Sequence, residues 1–196
     1  MAAPVSAPPD APRSTDEAEL YELVRQRSFR RGHFILSSGR TSEMYFNLKP
    51  TMLDPRGAYL CAAAFLKIIV AERAGFAGGL EMGAVPMLGS LAALSEMQRH
   101  PVRTFFVRKK PKSHGTKELI EGLASDETLS GARVMIVDDV ATTGNSALQA
   151  AQVAREAGAI VDCALVIVDR EEGAREMLAR ESIRLLSILR GPDFLK

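Results

Sequence analysis

Runs of consecutive apolar residues alternate with segments of helical spacing from residue 75 onward. Such runs put apolar side chains on both faces of a strand, so each strand needs a covering layer on either side. Helices that alternate with the strands provide both layers and favour parallel pairing. The sequence therefore predicts an α/β fold, with a central, mostly parallel sheet flanked by helices. Predicted strands cover 76–80, 102–107, 133–137, 160–168 and 183–189, and predicted helices cover 85–97, 145–157 and 171–180.

The N-terminal part of the chain has a different character. Residues 1–16 are rich in Ala, Pro and Ser and lack the apolar centre of a signal peptide, so we expect a disordered tail. The spacing predicts a helix over 16–29, and two apolar runs around a Ser-Gly turn predict a hairpin over 34–48. Pro55 is typical of a first helical position and predicts a long helix to about residue 74.

The length and composition predict one folded domain over residues 17–196. A chain of 196 residues with 46% hydrophobic residues has enough apolar material for a single sizeable core. We expect this core to span about 55–190. Residues 17–50 and the C-terminal end are expected to form a small N-terminal unit beside it, here called the hood.

The charge balance limits what the chain can bind. Its 25 Lys and Arg residues stand against 24 Asp and Glu residues, a net charge of +1. No overall field therefore attracts nucleic acid or an anionic membrane, and no apolar stretch approaches the ~20 residues of a membrane helix. Cys61 and Cys163 lie far apart in apolar runs, which favours buried thiols in a reducing, cytoplasmic location over a zinc site.

The strongest motif is two adjacent carboxylates, Asp138 and Asp139, between a buried strand and a loop of small residues. Ligands of open α/β sheets bind beyond the carboxyl ends of strands. A helix start, the hydroxyls that follow and a close backbone approach at Gly144 would cradle a phosphate. Carboxylates repel phosphate but accept hydrogen bonds from sugar hydroxyls, so the motif predicts a ribose 5-phosphate site. The competing interpretation is a capped helix preceded by two loop acids.

The segment from Val137 to Ser146 resembles the signature of type I phosphoribosyltransferases, which bind 5-phosphoribosyl 1-diphosphate (PRPP). The resemblance implies the type I phosphoribosyltransferase fold, but it does not identify the base. It also implies PRPP contacts from Asp138, Asp139, Val140, Ala141, Thr142, Thr143, Gly144, Asn145 and Ser146.

A basic segment, residues 108–122, follows the second predicted strand of the sheet. Its fixed cations and His114 could surround a diphosphate. A solvated loop, a localisation-like basic run and a nucleic-acid patch are alternatives, and the net charge weakens the last. The order of residues resembles the mobile catalytic loop of orotate phosphoribosyltransferases. That resemblance implies PRPP contacts from Arg108, Lys109, Lys112 and His114, with catalytic roles for Lys109, Lys112, His114 and Asp138.

Three further stretches, 36–47, 78–84 and 168–171, resemble the orotate-covering hairpin, the short PRPP loop and the orotate-binding strand end of that family. They imply orotate contacts from Tyr45, Phe46, Thr142 and Arg170. Many family members carry a lysine where this chain has Ser37 or Gly83. Arg40 or Lys49 are the candidates to replace that charge.

The resemblance implies a specific reaction: PRPP and orotate give orotidine 5′-phosphate and diphosphate, in pyrimidine biosynthesis. Mg²⁺ is expected as the cofactor, held mainly by PRPP and water, with Asp138 and Asp139 as candidate protein contacts. The family also implies a homodimer with shared active sites. A phosphoribosyltransferase for another base, and a non-catalytic PRPP-sensing regulator, are the alternatives. The basic segment weighs against the first, and the lack of a nucleic-acid-binding extension weighs against the second.

Overall fold

The structure, a computed structural model, describes residues 14–35, 41–110 and 119–196. Most of the predicted tail, the hairpin turn with Ser37 and Arg40, and both Lys112 and His114 lie outside these ranges. The described helices are α1 (Thr15–Arg27), α2 (Lys49–Met52), α3 (Pro55–Ala71), α4 (Val85–Met97), α5 (Asn145–Glu156), α6 (Ala174–Arg180) and a 3-10 helix (Gly191–Leu195). The described strands are β1 (Phe29–Ile35), β2 (Thr41–Phe46), β3 (Phe76–Leu80), β4 (Arg103–Val107), β5 (Ile120–Glu121), β6 (Arg133–Ala141), β7 (Ile160–Asp169) and β8 (Arg184–Arg190).

The central sheet is mostly parallel, as predicted. Among the described residues it has six strands in the order β5-β4-β3-β6-β7-β8. Neighbouring strands pair in parallel, except that β5 runs antiparallel to β4. The chain proceeds outward from β3 to β4 on one side and from β6 through β7 to β8 on the other. The carboxyl ends of β3 and β6 therefore meet at the switch point where such sheets bind ligands.

Helices cover both faces of the sheet. Along β6, Met135 and Val137 join the apolar side chains of α3 and α4, whereas Val134 and Ile136 join those of α5 and α6. Because successive strand residues point to opposite faces, the two groups are separate layers of core. None of the helices in the described ranges has the length and apolar character that a membrane crossing needs. Flanking helices on both faces confirm the predicted α/β architecture.

The hood has an aromatic interior. The strands β1 and β2 pair antiparallel, and the ring of Phe194 from the 3-10 helix lies against them. Its centroid is 4.4 Å from that of Tyr21, 5.4 Å from Phe29 and 5.1 Å from Phe46. The Tyr21 hydroxyl also donates a hydrogen bond to the carbonyl of Asp193 at 3.1 Å. The last residues of the chain thus hold α1 and the hairpin together.

Several boundaries differ from the predicted ones for identifiable reasons. Ser14 caps α1 in a capping box with Glu17, so residues 14–16 of the expected tail belong to the helix and its cap. The hairpin begins at Phe29 rather than 34, because exposed polar residues of β1 hide the apolar alternation in the sequence. The sheet strand predicted to end at Val137 continues to Ala141, since the carboxylates stay paired with β7.

Candidate active site

The acid pair, Asp138 and Asp139, lies at the carboxyl end of β6 beside the switch point. The side chain of Asp138 is buried and only 7% exposed. Its Oδ1 accepts the backbone N–H of Asp139 at 2.9 Å, and Asp139 Oδ1 accepts that of Val140 at 2.9 Å. Each carboxylate is therefore held in place by the next peptide unit.

The pKa of Asp138 lies well above its usual range. Burial is the main cause, and the neighbouring charge of Asp139 adds to it. The backbone hydrogen bond from Asp139 and the positive charge of Lys109 lower the pKa but do not cancel the rise. Hydroxyl donors or a cation beside Asp138 would favour its charged form, so the buried carboxyl suits a ligand that brings them.

A cavity of about 250 Å³ opens next to Asp138. Gly144, which precedes α5, has a left-handed backbone with φ 83°, and no side chain caps this helix end. The first N–H groups of α5 are therefore available to a ligand, and the positive end of the helix dipole favours an anion. The cavity is lined by Asp138, Val140, Ala141, Thr142, Thr143, Gly144, Asn145, Ser146, Ala147 and Val166.

The cavity thus brings together most of the residues predicted to bind PRPP. Residues 142–146 are here called the phosphate loop. Their backbone N–H groups and the hydroxyls of Thr142, Thr143 and Ser146 suit a phosphate. A buried carboxyl stands at the other side of the same space. This arrangement suits a sugar phosphate, with its anionic end at the helix and its hydroxyls at the acid.

The end of β3 and the loop after it lie close to the acid pair, and glycines at these positions make the close approach possible. A Cβ on Gly79 would come within 2.1 Å of the carbonyl oxygen of Val137. A Cβ on Gly83 would lie 2.6 Å from Asp138 Oδ1 and 3.0 Å from Asp139 Oδ1. The peptide between Glu81 and Met82 is cis. At Gly83, where many family members have a lysine, this chain has no room for a side chain unless the acid pair moves.

The basic segment is described only at its two ends. The backbone N–H of Lys109 donates to Glu81 Oε1 at 2.9 Å, and that of Arg108 donates to the carbonyl of Leu119 at 2.8 Å. The guanidinium of Arg108 lies 3.8 Å from the carboxylate of Glu121. Lys109 is thus joined to the loop after β3, and its charge acts on Asp138. The other two predicted diphosphate contacts, Lys112 and His114, lie outside the described residues.

Arg170 stands at the carboxyl end of β7, beneath the hood. Its backbone N–H donates to the carbonyl of Ala141 at 2.9 Å, which joins it to the start of the phosphate loop. Only 5% of the residue is exposed. The burial shows that Arg170 is not a surface arginine.

The two aromatic residues predicted to contact orotate differ in their surroundings. Tyr45 is 44% exposed and lies against Phe34, with ring centroids 5.4 Å apart. Phe46 is buried, and its ring packs against those of Phe29 and Phe194 in the hood interior. The side chain of Phe46 thus supports the hood from inside, and Tyr45 is the one of the two with an exposed ring.

Sequence reasoning missed three polar residues that contact predicted site residues. Glu81 accepts the Lys109 amide, whereas Ser42 and Glu172 contact the guanidinium of Arg170. Glu172 falls in the predicted helix 171–180, but α6 begins only at Ala174 because Glu171 and Gly173 have positive φ. Gly173, directly before Ala174 as the first apolar position of α6, was the available signal for that later start.

Comparison with known proteins gives a consistent result. The family model for the phosphoribosyl transferase domain matches residues 79–185, more than half of the chain. An orotate phosphoribosyltransferase of Rhodopseudomonas palustris (strain BisB18) is 50% identical over 184 residues, covering 94% of this chain and 98% of the relative. One from Bradyrhizobium diazoefficiens is 51% identical over 184 residues, covering 94% and 98%.

A solved structure shares the fold as well. The crystal structure of Mycobacterium tuberculosis H37Rv orotate phosphoribosyltransferase in complex with PRPP superposes with a TM-score of 0.75 at 34% identity. The match covers 92% of this chain and 99% of that one. With about half of all positions shared with full-length relatives, and the same fold throughout, this chain belongs to the orotate phosphoribosyltransferase family.

Proposed function

We propose that this chain transfers the 5-phosphoribosyl group from PRPP to orotate, giving orotidine 5′-phosphate and diphosphate in pyrimidine biosynthesis. The observation that carries the proposal is the cavity at the carboxyl end of β6, with Ala141 in its wall hydrogen-bonded to the backbone of Arg170. A phosphate-binding helix end and a buried carboxyl adjoin a buried arginine that can neutralise the carboxylate of orotate. The names of the relatives and of the solved structure agree with both substrates.

The sugar phosphate end of PRPP fits the cavity. The N–H groups of α5 and the hydroxyls of the phosphate loop bind the 5′-phosphate. Asp138 and Asp139 accept hydrogen bonds from the ribose hydroxyls. Positive charge develops on the ribose as the bond from C1 to the diphosphate breaks, and nearby carboxylates stabilise that charge. Binding in this orientation favours the ionised form of Asp138, which burial alone disfavours.

The diphosphate leaves as a group with growing negative charge. Arg108, Lys109, Lys112 and His114 neutralise it, and His114 can supply a proton because imidazole titrates near neutral pH. Closure of the basic segment over the site excludes water, which would otherwise hydrolyse the activated sugar. The hydrogen bond between the Lys109 amide and Glu81 supports this role, because it anchors the first residues of the segment beside the acid pair.

The base lies between the phosphate loop and the hood. Arg170 binds the orotate carboxylate, while Thr142 and Tyr45 contact the ring. The burial of Arg170 strengthens this interaction, because a charge pair is less screened away from water. A base without a carboxylate cannot use this arginine.

Mg²⁺ belongs to the same proposal. No group of three or more metal-ligating side chains occurs in the described ranges, so a metal would take most of its ligands from PRPP and water. The acid pair fits a nearby cation, because a positive charge would offset the burial of Asp138. When bound, Mg²⁺ supplies charge neutralisation for the phosphate oxygens.

Two further parts of the proposal concern assembly and location. We propose a homodimer in which the basic segment reaches the partner's site, as the family resemblance implies. Leu53, Tyr59 and Met82 are exposed apolar side chains, which is consistent with a surface that a partner covers. We also propose a cytoplasmic location, which the two free, buried cysteines support.

The test is a direct assay. The protein is mixed with Mg²⁺, PRPP and one base at a time, and ultraviolet absorbance follows the loss of the base. We expect orotate to be consumed and uracil and adenine to remain. Consumption of another base in preference to orotate would assign a different phosphoribosyltransferase activity. Binding of PRPP without any turnover would indicate a regulator.

A further inference from the structure

Arg170 is neutralised from within the protein. Its Nη2 donates to Glu172 Oε1 at 2.7 Å, to Ser42 Oγ at 2.7 Å and to the carbonyl of Met44 at 3.1 Å. Ser42 and Met44 belong to β2 of the hood, whereas Glu172 follows β7 of the core. The three acceptors surround one end of the guanidinium and join the hood to the core through a single charge.

Glu172 is the partner that can leave this arrangement. Its side chain is 20% exposed, against 5% for that of Arg170. Water can therefore solvate the carboxylate after a small rotation, but it cannot solvate the arginine in place. The hydroxyl of Ser42 also donates to Glu172 Oε1 at 3.3 Å, which holds the carboxylate in its present position.

The acidic residues on either side of Arg170 in the sequence form ion pairs with other arginines. Asp169, which is fully buried, contacts Arg175 Nε at 2.6 Å. Glu171 contacts Arg190 Nε at 2.6 Å. Glu172 is thus the one side-chain carboxylate paired with Arg170 in the described part of the chain. The Nε of Arg170 is buried and has no acceptor among the same residues, so the arginine keeps a donor for an incoming anion.

We propose that Glu172 substitutes for the substrate's carboxylate while the base site is empty, and exchanges with it when the base binds. This rests on the proposed function, in which Arg170 binds the orotate carboxylate. A nearly buried arginine without a counter-charge would be strongly unfavourable, and Glu172 removes that cost. The exchange lowers the apparent affinity for orotate, because part of the binding free energy displaces Glu172.

The exchange is open only to an anionic base. A carboxylate on the base can replace the Glu172 carboxylate at Arg170 without loss of charge pairing. A neutral base such as uracil cannot, so it would leave the existing pair intact or break it without compensation. Glu172 is therefore a positioning residue that acts through Arg170, and the preference for an anionic base comes from the arginine itself.

The test compares Glu172→Gln with Glu72→Gln, each in the intact chain. Glutamine keeps the size of the side chain but removes the charge that competes for Arg170. We expect Glu172→Gln to lower the KM for orotate by about three- to tenfold, with little change in the KM for PRPP. The matched control removes the ion pair between Glu72 and Arg184, which has the same length of 2.7 Å and a carboxylate of similar exposure, and it should leave both values unchanged.

A second readout separates this role from a purely structural one. Without ligand, Glu172→Gln should unfold at a lower temperature than the wild type, because Arg170 loses its counter-charge. Saturating orotate should narrow that gap, since the substrate supplies the missing carboxylate. Glu172→Asp, which keeps the charge but withdraws it by one methylene, should lower the KM for orotate to a smaller extent.

The outcomes are distinct. A KM for orotate that stays the same or rises in both Glu172 variants overturns the exchange, as does a gap in unfolding temperature that orotate does not narrow. Failure of the proposed function would show itself earlier, as wild-type protein that does not consume orotate. If the wild type consumes orotate and the Glu172 variants have the wild-type KM for orotate, the proposed function stands and only the role of Glu172 is rejected.

Discussion

The buried position of Asp138 favours ligand binding but destabilises the ligand-free protein at neutral pH. Burial and the charge of Asp139 raise its pKa well above the usual range. The folded protein thus holds a proton that the unfolded chain would release. Stability from this group is complete below about pH 3.9, the pKa of an unfolded aspartate, and falls as the pH rises toward the folded pKa.

Asp138→Asn should therefore stabilise the ligand-free protein and inactivate it. Its advantage in free energy of unfolding over the wild type should grow between pH 4 and pH 8, as measured by urea denaturation at each pH. Turnover should fall by at least about a hundredfold, because the ribose loses a charged acceptor. Asp126→Asn, at an exposed carboxylate, is the control and should change neither quantity. A variant that remains fully active would exclude Asp138 from the ribose site.

At the scale of an element, the start of α5 depends on a glycine. Gly144 has φ 83°, and a Cβ there would lie 3.1 Å from Met177 Cε and 3.2 Å from Leu178 Cγ of α6. Gly144→Ala should cost about 1–2 kcal/mol in free energy of unfolding and raise the KM for PRPP, because the helix end that meets the phosphate must shift. Urea denaturation and steady-state kinetics measure the two effects.

Gly89 supplies the matched control for that change. It lies exposed within α4, where a Cβ would have no heavy atom within 4 Å. Gly89→Ala should therefore stabilise the protein by up to about 1 kcal/mol, through helix propensity alone. If both alanine variants show the same change in free energy of unfolding and in the KM for PRPP, the backbone geometry at Gly144 has no special role.

The basic segment is an element whose contribution should appear in the rate. Lys109→Ala should lower kcat by about a hundredfold and change the KM for PRPP much less, because the leaving diphosphate loses a positive charge as its own charge grows. Lys67→Ala, at an exposed lysine of α3, serves as the control, and its kcat should stay within about twofold. Equal kcat values for wild type and Lys109→Ala would remove this residue from the chemistry.

Two elements were predicted to the residue, and most other elements of the core were predicted to within a few residues. The bounds of β3 (Phe76–Leu80) and α4 (Val85–Met97) are confirmed, because both patterns end abruptly in the sequence. Three short elements, α2, β5 and the 3-10 helix, were not predicted, since two to five residues carry no period of their own. The four extra residues of β6 were missed because pairing with β7, and not hydrophobicity, keeps the acids in the strand.

The candidate site was predicted unevenly for a related reason. The phosphate loop and acid pair are contiguous in the sequence, so a local motif identified them. Arg170 was singled out only through the family resemblance, and its burial depends on β2, more than a hundred positions earlier. Glu172 belongs to no motif, and only the folded arrangement brings it to Arg170.

The hood illustrates dependence on the molecule as a whole. Phe194→Ala should remove a buried ring that contacts three others, at a cost of about 3–5 kcal/mol in free energy of unfolding. The KM for orotate should rise more than that for PRPP, because the hood lies over Arg170. Met97→Ala, at a side chain that is 80% exposed, should change stability by about 0.5 kcal/mol or less. Equal stabilities for these two variants would show that the ring does not hold the hood.

The contact between α1 and the 3-10 helix affects the order in which parts of the fold can be completed during synthesis. The contact between Tyr21 and Asp193 spans 172 positions. A ribosome therefore releases the phosphate loop and all strands of the central sheet before it releases the ring on which the hood rests. Each newly synthesised chain can complete its phosphate-binding half first. The half that selects the base is finished only after Phe194 has emerged.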